Sequence, residues 1–282
     1  MTKENPMTNP TVPRFKFRQG RVPLLVSMPH VGTHIPADIA SGMTDAALKL
    51  PDTDWHLERL YDFLDELGAS VLVATHSRYV IDLNRPSDNA NLYPGQDTTG
   101  LCPIDTFHKE AVYQPGKLPD ETEIRRRVDE YWTPYHAALS AELQRLRAEH
   151  GVAMLWDAHS ICSIVPRFFE GRLPDFNIGT ASGTSCDPRL GERLLDAARQ
   201  ASGYSAVLNG RFKGGHITRH YGKPEQDIHA VQLELAEATY MQEQHPYDFD
   251  EALANGVRPA LRRFIELMLA HAAERAGDHA QR

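Results

Sequence analysis

Two histidines stand where the carboxyl ends of two predicted strands meet polar sequence. His30 follows the apolar run 22–27, and His159 follows the run 152–156 with Asp157 two positions before it. Because parallel strands of an open sheet present their carboxyl ends at one edge, we expect both imidazoles at the same edge. Converging imidazole and carboxylate groups bind divalent metal ions. For either histidine alone, a hydrogen-bonded side chain at a strand end is the competing interpretation.

The expected third ligand is a carboxylate. Catalytic zinc sites commonly use two histidines and one acid and leave a position open for water. Asp54, at the start of a predicted helix, is our candidate, and Glu58 one turn later is the reserve. An acid in a first helical turn also complements the helix dipole, which is the alternative explanation for Asp54. We predict one divalent cation on His30, Asp54 and His159, with zinc expected and cobalt, manganese or iron as alternatives.

A carboxylate inside an apolar strand is the candidate general base. In residues 230–238 (AVQLELAEA), strand alternation sends Gln232 and Glu234 to one face and apolar side chains to the other. Glu234 can then accept a proton from a metal-activated water, whose pKa falls to about 7 on zinc. A buried salt bridge is the other explanation for this residue.

Several arginines indicate an anionic small-molecule substrate, because guanidinium groups bind carboxylates in bidentate geometry. Asn84 and Arg85 follow the predicted strand 79–83, and Arg219 lies in a glycine-rich stretch together with His216. That stretch lacks the spacing of phosphate-binding loops and of dinucleotide folds, which excludes nucleotide binding. Three further arginines are reserves for substrate binding: Arg78, Arg167 and Arg211.

The elements that must position these residues are those of an α/β protein. Short apolar runs predict strands at 22–27, 69–74, 79–83, 152–156, 176–179, 205–208 and 231–235. Helical periodicity predicts helices over 54–68, 121–149, 188–201 and 248–276, with breaks at Pro134 and Pro259. Residues 85–120 are too long for a simple connection and are expected to shape a site. Strands alternating with helices predict a three-layer α/β/α domain.

Charge and composition narrow the class of protein further. The chain has 282 residues with 30 Lys and Arg against 38 Asp and Glu, a formal net charge of −8, which argues against nucleic-acid binding. No apolar run approaches the ~20 residues of a membrane span. Three cysteines give no disulfide framework, so we expect a cytoplasmic protein. Residues 1–20 are predicted to be a flexible arm and residues 21–282 a single domain, as a monomer or small homo-oligomer.

Seven short stretches of the chain together carry a family resemblance. They are PHVGTHIP (29–36), DTDWHLERLYD (52–62), SRYVIDLNRP (77–86), TTGLCP (98–103), WDAHSICSIVPRFFEG (156–171), NGRFKGGHITRHYGKP (209–224) and AVQLELAEATYMQE (230–243). They cover most of residues 22–243 and resemble the N-formylglutamate amidohydrolases, or deformylases, of histidine breakdown. The resemblance implies metal-dependent hydrolysis of N-formyl-L-glutamate to formate and L-glutamate.

Kinship with zinc carboxypeptidases and aspartoacylases implies a fold and residue roles. The implied fold is zinc carboxypeptidase-like (phosphorylase/hydrolase-like), with a mostly parallel mixed sheet. Asn84 and Arg85 are similar to an Asn-Arg pair that binds the acyl group and a substrate carboxylate. His159 is similar to a strand-end metal ligand, and Glu234 to the catalytic acid. On this basis Arg85 and Arg219 are expected to clamp the two substrate carboxylates, with Asn84 or Arg85 stabilising the oxyanion.

Two positions depart from the related pattern. Thr33 stands three residues after His30, where the carboxypeptidases supply an acidic ligand, so the carboxylate must come from elsewhere. His216 stands where an aromatic residue such as Tyr is expected, which affects substrate contacts. Two other functions stay open: hydrolysis of another acidic N-acyl amino acid by the same catalyst, and non-catalytic binding of a metal or an acidic metabolite.

Overall fold

One mixed sheet organises the protein, whose computed structural model describes residues 12–92 and 95–280. Within these residues the strands are β1 (Phe15–Arg18), β2 (Leu24–Met28), β3 (Ser70–Ala74), β4 (Ala153–Ile161), β5 (Phe176–Gly179), β6 (Ala206–Leu208) and β7 (Ile228–Ala236). Their order is β1-β3-β2-β4-β7-β5-β6. Four neighbouring pairs are parallel: β3–β2, β2–β4, β4–β7 and β5–β6. The β1–β3 and β5–β7 pairs are antiparallel.

Helices cover both faces of this sheet. They are α1 (Ala37–Ala40), α2 (Asp45–Leu48), α3 (Leu57–Leu60), α4 (Leu64–Leu67), α5 (Glu121–Arg127), α6 (Thr133–His150), α7 (Pro188–Gln200), α8 (His216–Tyr221) and α9 (Glu251–Ala280). A π-helical turn, Val128–Trp132, joins α5 to α6. Short 3-10 turns span Ala181–Gly183, Pro224–Gln226 and Glu237–Thr239. No helix in the described ranges is both long enough and apolar enough to cross a membrane.

Alternation along the strands builds two separate cores. Leu24 and Val26 of β2 face α7 and α9 on one side of the sheet, whereas Leu25 faces α6 on the other. Successive strand residues point to opposite faces, so a fully apolar strand can fill both layers. The prediction of an α/β protein with helices on both faces of a mostly parallel mixed sheet is therefore confirmed.

Two strand predictions differ from the structure. The apolar run 79–83 is a buried loop, because its backbone groups bond to other loops and side chains: Asp82 N–H donates to Leu101 O, and Arg127 Nη1 donates to Val80 O. Conversely, part of the predicted arm is the edge strand β1, whose residues Phe15–Arg18 pair with β3. The rest of that prediction, residues 1–11, lies outside the described residues.

The predicted helices differ from the observed ones in where they are interrupted. The helix expected over 54–68 is divided into α3 and α4 by a turn. Pro134 is the second residue of α6, which follows the π-helical turn directly. Pro259 does not interrupt α9, which is continuous. An interior proline costs roughly 3 kcal/mol. Burial of apolar residues on both sides of it, including Val257 and Leu261, offsets that cost.

Candidate metal centre and catalytic cleft

Two imidazoles and one carboxylate meet at the carboxyl edge of the sheet. His30 lies just after β2, His159 lies near the end of β4, and Asp54 lies in the turn before α3. The backbone ties two of them together, because Asp54 N–H donates to His30 O at 3.1 Å. All three side chains are buried and form a group able to hold a metal ion.

The spacing of the three facing atoms fits one tetrahedral cation. His159 Nδ1 lies 3.1 Å from His30 Nδ1 and 3.1 Å from Asp54 Oδ2, and His30 Nδ1 lies 3.8 Å from Asp54 Oδ2. Ligand atoms around a tetrahedral zinc ion with bonds of about 2.1 Å are about 3.4 Å apart. Two imidazoles and one carboxylate are a donor set that catalytic zinc sites commonly use.

Each histidine has a carboxylate behind it. His30 Nε2 lies 2.7 Å from Asp82 Oδ1, and His159 Nε2 lies 3.2 Å from Asp157 Oδ1. For His30, the Asp82 carboxylate holds the proton on Nε2 and directs the lone pair of Nδ1 to a metal. The Nδ1 atoms of His30 and His159 face each other at 3.1 Å, beside Asp54.

The negative charge of the carboxylates around the cluster favours a bound cation. Three buried carboxylates, Asp54, Asp82 and Asp157, lie around the two imidazoles and the guanidinium of Arg78. Burial opposes the charge of Asp82, but His30 and Arg78 hold its pKa well below its usual range. Burial likewise opposes protonation of His159, yet Asp157 and Asp54 raise its pKa well above the ordinary value. A bound cation satisfies the same electrostatic demand.

Replacing Asp82 by asparagine is expected to weaken metal binding by about 10- to 100-fold, because the imidazole of His30 loses the carboxylate that orients it. Competition with a chromophoric chelator measures the affinity. Asp65→Asn is the control, since the Asp65 side chain is 77% exposed and pairs with Arg18. Unchanged affinity in folded Asp82→Asn protein would contradict this role.

Asn84 is fixed beside the cluster by its own contacts. Its Oδ1 accepts from Ile217 N–H at 2.8 Å, and its Nδ2 lies 2.9 Å from His159 Nε2. Close approach of the glycine-rich loop makes this possible, because a Cβ on Gly215 would lie 2.4 Å from Asn84 Nδ2. The amide therefore positions His159, which leaves Arg85 as the better placed of the two residues predicted to stabilise an oxyanion.

Glu234 is another buried carboxylate near the cluster. It forms none of the hydrogen bonds to the two histidines described above. It pairs in register with His159 across β4 and β7, lies in the cleft wall and is 8% exposed. Gln232 Nε2 donates to its Oε2 at 3.2 Å and holds it in place. Burial raises the pKa of Glu234 to about 8, against the lowering effect of His159. A carboxylate with such a raised pKa is suited to proton transfer near neutral pH.

The cluster opens into a cleft with basic and aromatic walls. Arg85 and Arg211 provide cationic side chains, and four apolar side chains also line the cleft: Phe107, Ile161, Phe168 and Phe212. Arg85, Asp97 and Phe107 come from residues 85–120, the long segment expected to shape a site.

Other residues predicted for the site lie elsewhere. Arg219 is exposed on α8, where its Nε donates to Gly214 O, and it does not line the cleft. Arg167 bonds the carboxylates of Asp97 and Asp105. His216 is buried behind Asn84, and burial lowers its pKa to about 4. The reserve ligand Glu58 points to Lys16 at the surface.

Two features of the site were not assigned from the sequence. Asp82 lies inside the run YVIDL, and an acid embedded in an apolar run is the signal that could have marked it. Asp97 at the cleft mouth has no such signal, because contacts with Lys109 and Arg167 place it.

The chain is similar to known proteins over most of its length. The sequence profile of the N-formylglutamate amidohydrolase family matches residues 22–241. An N-formylglutamate deformylase of Pseudomonas aeruginosa is 56% identical over 259 residues, which cover 92% of this chain and 97% of that protein. The Pseudomonas putida deformylase is 53% identical with the same coverage.

Solved structures match the fold over nearly the whole chain. The N-formylglutamate amidohydrolase of Ralstonia eutropha superposes with a TM-score of 0.77 at 26% identity, covering 93% of this chain and 98% of that one. A protein of Agrobacterium tumefaciens shares the fold with a TM-score of 0.68 at 18% identity, covering 92% and 95%. These matches confirm the resemblance found in the sequence: the chain belongs to the N-formylglutamate amidohydrolase family.

Proposed function

We propose that this protein hydrolyses N-formyl-L-glutamate to formate and L-glutamate, using one divalent cation held by His30, Asp54 and His159. The observation that carries the proposal is the pairing of Glu234 with His159 at the base of a cleft whose walls carry Arg85 and Arg211. This arrangement joins a metal-ligand cluster, a base and cationic groups for an acidic substrate. Relatives named for the same reaction are more than 50% identical to the chain.

The chain's own residues supply the proton transfers. Glu234 accepts a proton from the water that attacks the formyl carbon, and it delivers that proton to the amide nitrogen as the C–N bond breaks. Gln232 holds the Glu234 carboxylate toward the cleft during both transfers. When bound, the cation supplies Lewis acidity, which polarises a carbonyl and lowers the pKa of water. Zinc suits the two imidazoles and the carboxylate, as do cobalt, manganese and iron.

The cleft walls bind the substrate and stabilise developing charge. Arg85 is half-buried, and its guanidinium donates to Thr99 O, Thr99 Oγ1 and Asn84 O, which are all neutral acceptors. Its positive charge is therefore available to a carboxylate or to the oxyanion of the tetrahedral intermediate. The aromatic walls exclude water, and this strengthens each charged contact.

The cellular setting follows from the same proposal. The three cysteines in the structure are free thiols, which supports a reducing, cytoplasmic compartment. The reaction belongs to histidine breakdown, and its substrate is a small anion rather than a nucleic acid or a membrane. We propose that a monomer or small homo-oligomer carries it out.

The proposed function is tested by formate release from N-formyl-L-glutamate, measured with N-formyl-L-aspartate and N-acetyl-L-glutamate as comparisons. We expect N-formyl-L-glutamate to react fastest, chelation to abolish turnover and zinc to restore it. Faster reaction of another acidic N-acyl amino acid would favour the related deacylase. Metal binding without hydrolysis of any of the three would favour a non-catalytic binding protein.

A further inference from the structure

We propose that the first turn of α8, residues 215–218, positions both the metal ligand His159 and the base Glu234, and that Thr218 anchors this turn. The part that concerns Glu234 rests on the proposed function, whereas the part that concerns His159 is measured by metal binding alone. Thr218 is a positioning residue, because it acts on His159 through the carboxylate of Asp157. The glycine-rich stretch, for which the sequence predicted substrate contacts, thereby gains a role inside the protein.

The turn orients the base through the side chain of Gln232. Gly215 N–H donates to Gln232 Oε1 at 2.7 Å. A side-chain amide has one oxygen and one NH2 group, so a donor on the oxygen directs the NH2 group to the other side. Gln232 Nε2 accordingly donates to Glu234 Oε2 at 3.2 Å. Two successive hydrogen bonds therefore connect the turn to the carboxylate of the base.

The same turn holds Asn84 by two hydrogen bonds. Ile217 N–H donates to Asn84 Oδ1 at 2.8 Å, and His216 N–H donates to Asn84 O at 3.3 Å. The Nδ2 atom of this amide lies 2.9 Å from His159 Nε2 and 3.5 Å from Asp157 Oδ2. The turn therefore fixes an amide group that contacts both the metal ligand and the carboxylate behind it.

Thr218 adds a side-chain contact to that carboxylate. Its hydroxyl donates to Asp157 Oδ2 at 3.2 Å, and Asp157 Oδ1 lies 3.2 Å from His159 Nε2. Thr218 and Asp157 are both fully buried. A buried acceptor that loses its donor carries a large desolvation penalty, so the group tends to turn towards another partner. Loss of the hydroxyl therefore releases the carboxylate that orients the imidazole of His159.

Close packing explains the glycines at the start of this turn. Gly214 has a φ of 113°, and a Cβ there would lie 2.9 Å from Thr218 Cγ2. A Cβ on Gly215 would lie 2.4 Å from Asn84 Nδ2. A side chain at either position would push the turn away from the groups that it holds. The glycines thus let the backbone approach the site residues closely.

The test compares two substitutions that separate the hydroxyl of Thr218 from its methyl group. Thr218→Val keeps the shape and removes the hydroxyl, whereas Thr218→Ser keeps the hydroxyl and removes the methyl group. Zinc affinity, measured by competition with a chromophoric chelator, is expected to fall ~10-fold in Thr218→Val and less than ~3-fold in Thr218→Ser. Thr218→Ala also lacks the hydroxyl, places no methyl group against Asp157, and gives the same test if the valine variant does not fold.

Thermal unfolding midpoints distinguish positioning from a purely structural role. Thr218→Ser loses apolar packing and is expected to have a lower midpoint with nearly normal zinc affinity. A purely structural role predicts instead that zinc affinity falls together with the midpoint in both variants. Thr239→Val is the matched control, because Thr239 is also buried and its hydroxyl donates to Ala236 O at 2.7 Å. Wild-type zinc affinity is expected for this control.

The link to the base is tested separately by Gln232→Met. This substitution removes both hydrogen bonds between the turn and Glu234 and leaves the contacts of Asp157 with Thr218 and His159 in place. We expect kcat for N-formyl-L-glutamate at saturating zinc to fall ~10- to 100-fold, because a misplaced base transfers protons poorly. Zinc affinity should stay at the wild-type value.

The proposal is overturned if folded Thr218→Val and Thr218→Ala bind zinc as tightly as wild type, or if Thr218→Ser loses as much affinity as they do. Wild-type kcat in Gln232→Met would overturn the link to the base. A wild-type enzyme that releases no formate would overturn the proposed function. In that case a loss of zinc affinity confined to the variants without the hydroxyl would still support the role of Thr218.

Discussion

Glu234→Gln is expected to lower formate release from N-formyl-L-glutamate by at least ~10²-fold while zinc stays bound. Glutamine keeps the shape of the side chain and its place beside Gln232, but it cannot take a proton from water. Because Glu234 is not a member of the His30, Asp54 and His159 cluster, the metal content should not change. Turnover and zinc content measured on the same preparation separate these two effects.

The control for this substitution is Glu225→Gln, at an exposed acid in the turn before β7. It makes the same Glu→Gln change away from the cleft. If Glu234→Gln retained wild-type turnover, the base would have to be another group. If it lost zinc together with activity, Glu234 would be a ligand.

Asp54→Asn is expected to lower zinc affinity by more than the ~10- to 100-fold typical of residues that only support a ligand. Asp54 Oδ2 lies 3.1 Å from His159 Nδ1 and is the carboxylate oxygen of the cluster. The neutral amide oxygen of asparagine is a weaker ligand for zinc than a carboxylate. Equilibrium dialysis gives the affinity, and formate release at fixed zinc gives the activity that depends on it.

Glu58→Gln is the matched control, because the sequence offers Glu58 as the alternative ligand one helical turn later. In the structure its carboxylate is 47% exposed and lies 3.1 Å from Lys16 Nζ. Wild-type affinity is expected for this variant. The reverse result, with zinc lost in Glu58→Gln and kept in Asp54→Asn, would contradict the assigned ligand set.

The positions of the two histidines could be predicted from the sequence because strand order and direction constrain them. His30 and His159 follow apolar runs that are buried in adjacent parallel strands, β2 and β4, and such strands end at the same edge. Glu234 could be found in the same way, since alternation in β7 sets its face. Asp54 was predicted from the ligands that zinc sites use, because no pattern in the chain marks it. The turn that carries Asp54 is fixed by a long-range hydrogen bond to His30.

Residues on loops could not be placed in the same way. The run containing Asp82 reads as a strand because it is buried, yet its burial comes from packing among loops rather than from the sheet. Arg211 and Arg219 lie in one glycine-rich stretch, and local pattern does not distinguish them. Their directions follow from the turn at Gly214, with φ of 113°, and from the contact of Gly215 with Asn84. Both are tertiary features.

The most direct test of the central claim is anomalous diffraction at the zinc edge from crystals of the zinc-loaded protein. The described residues offer a second group able to hold a metal ion, formed by Cys162, Glu237 and Glu243. We predict one strong peak, at a zinc position within bonding distance of His30 Nδ1, His159 Nδ1 and Asp54. Glu234 should lie beside this position but beyond bonding distance. A peak at the Cys162 group, with none between the two histidines, would contradict the account.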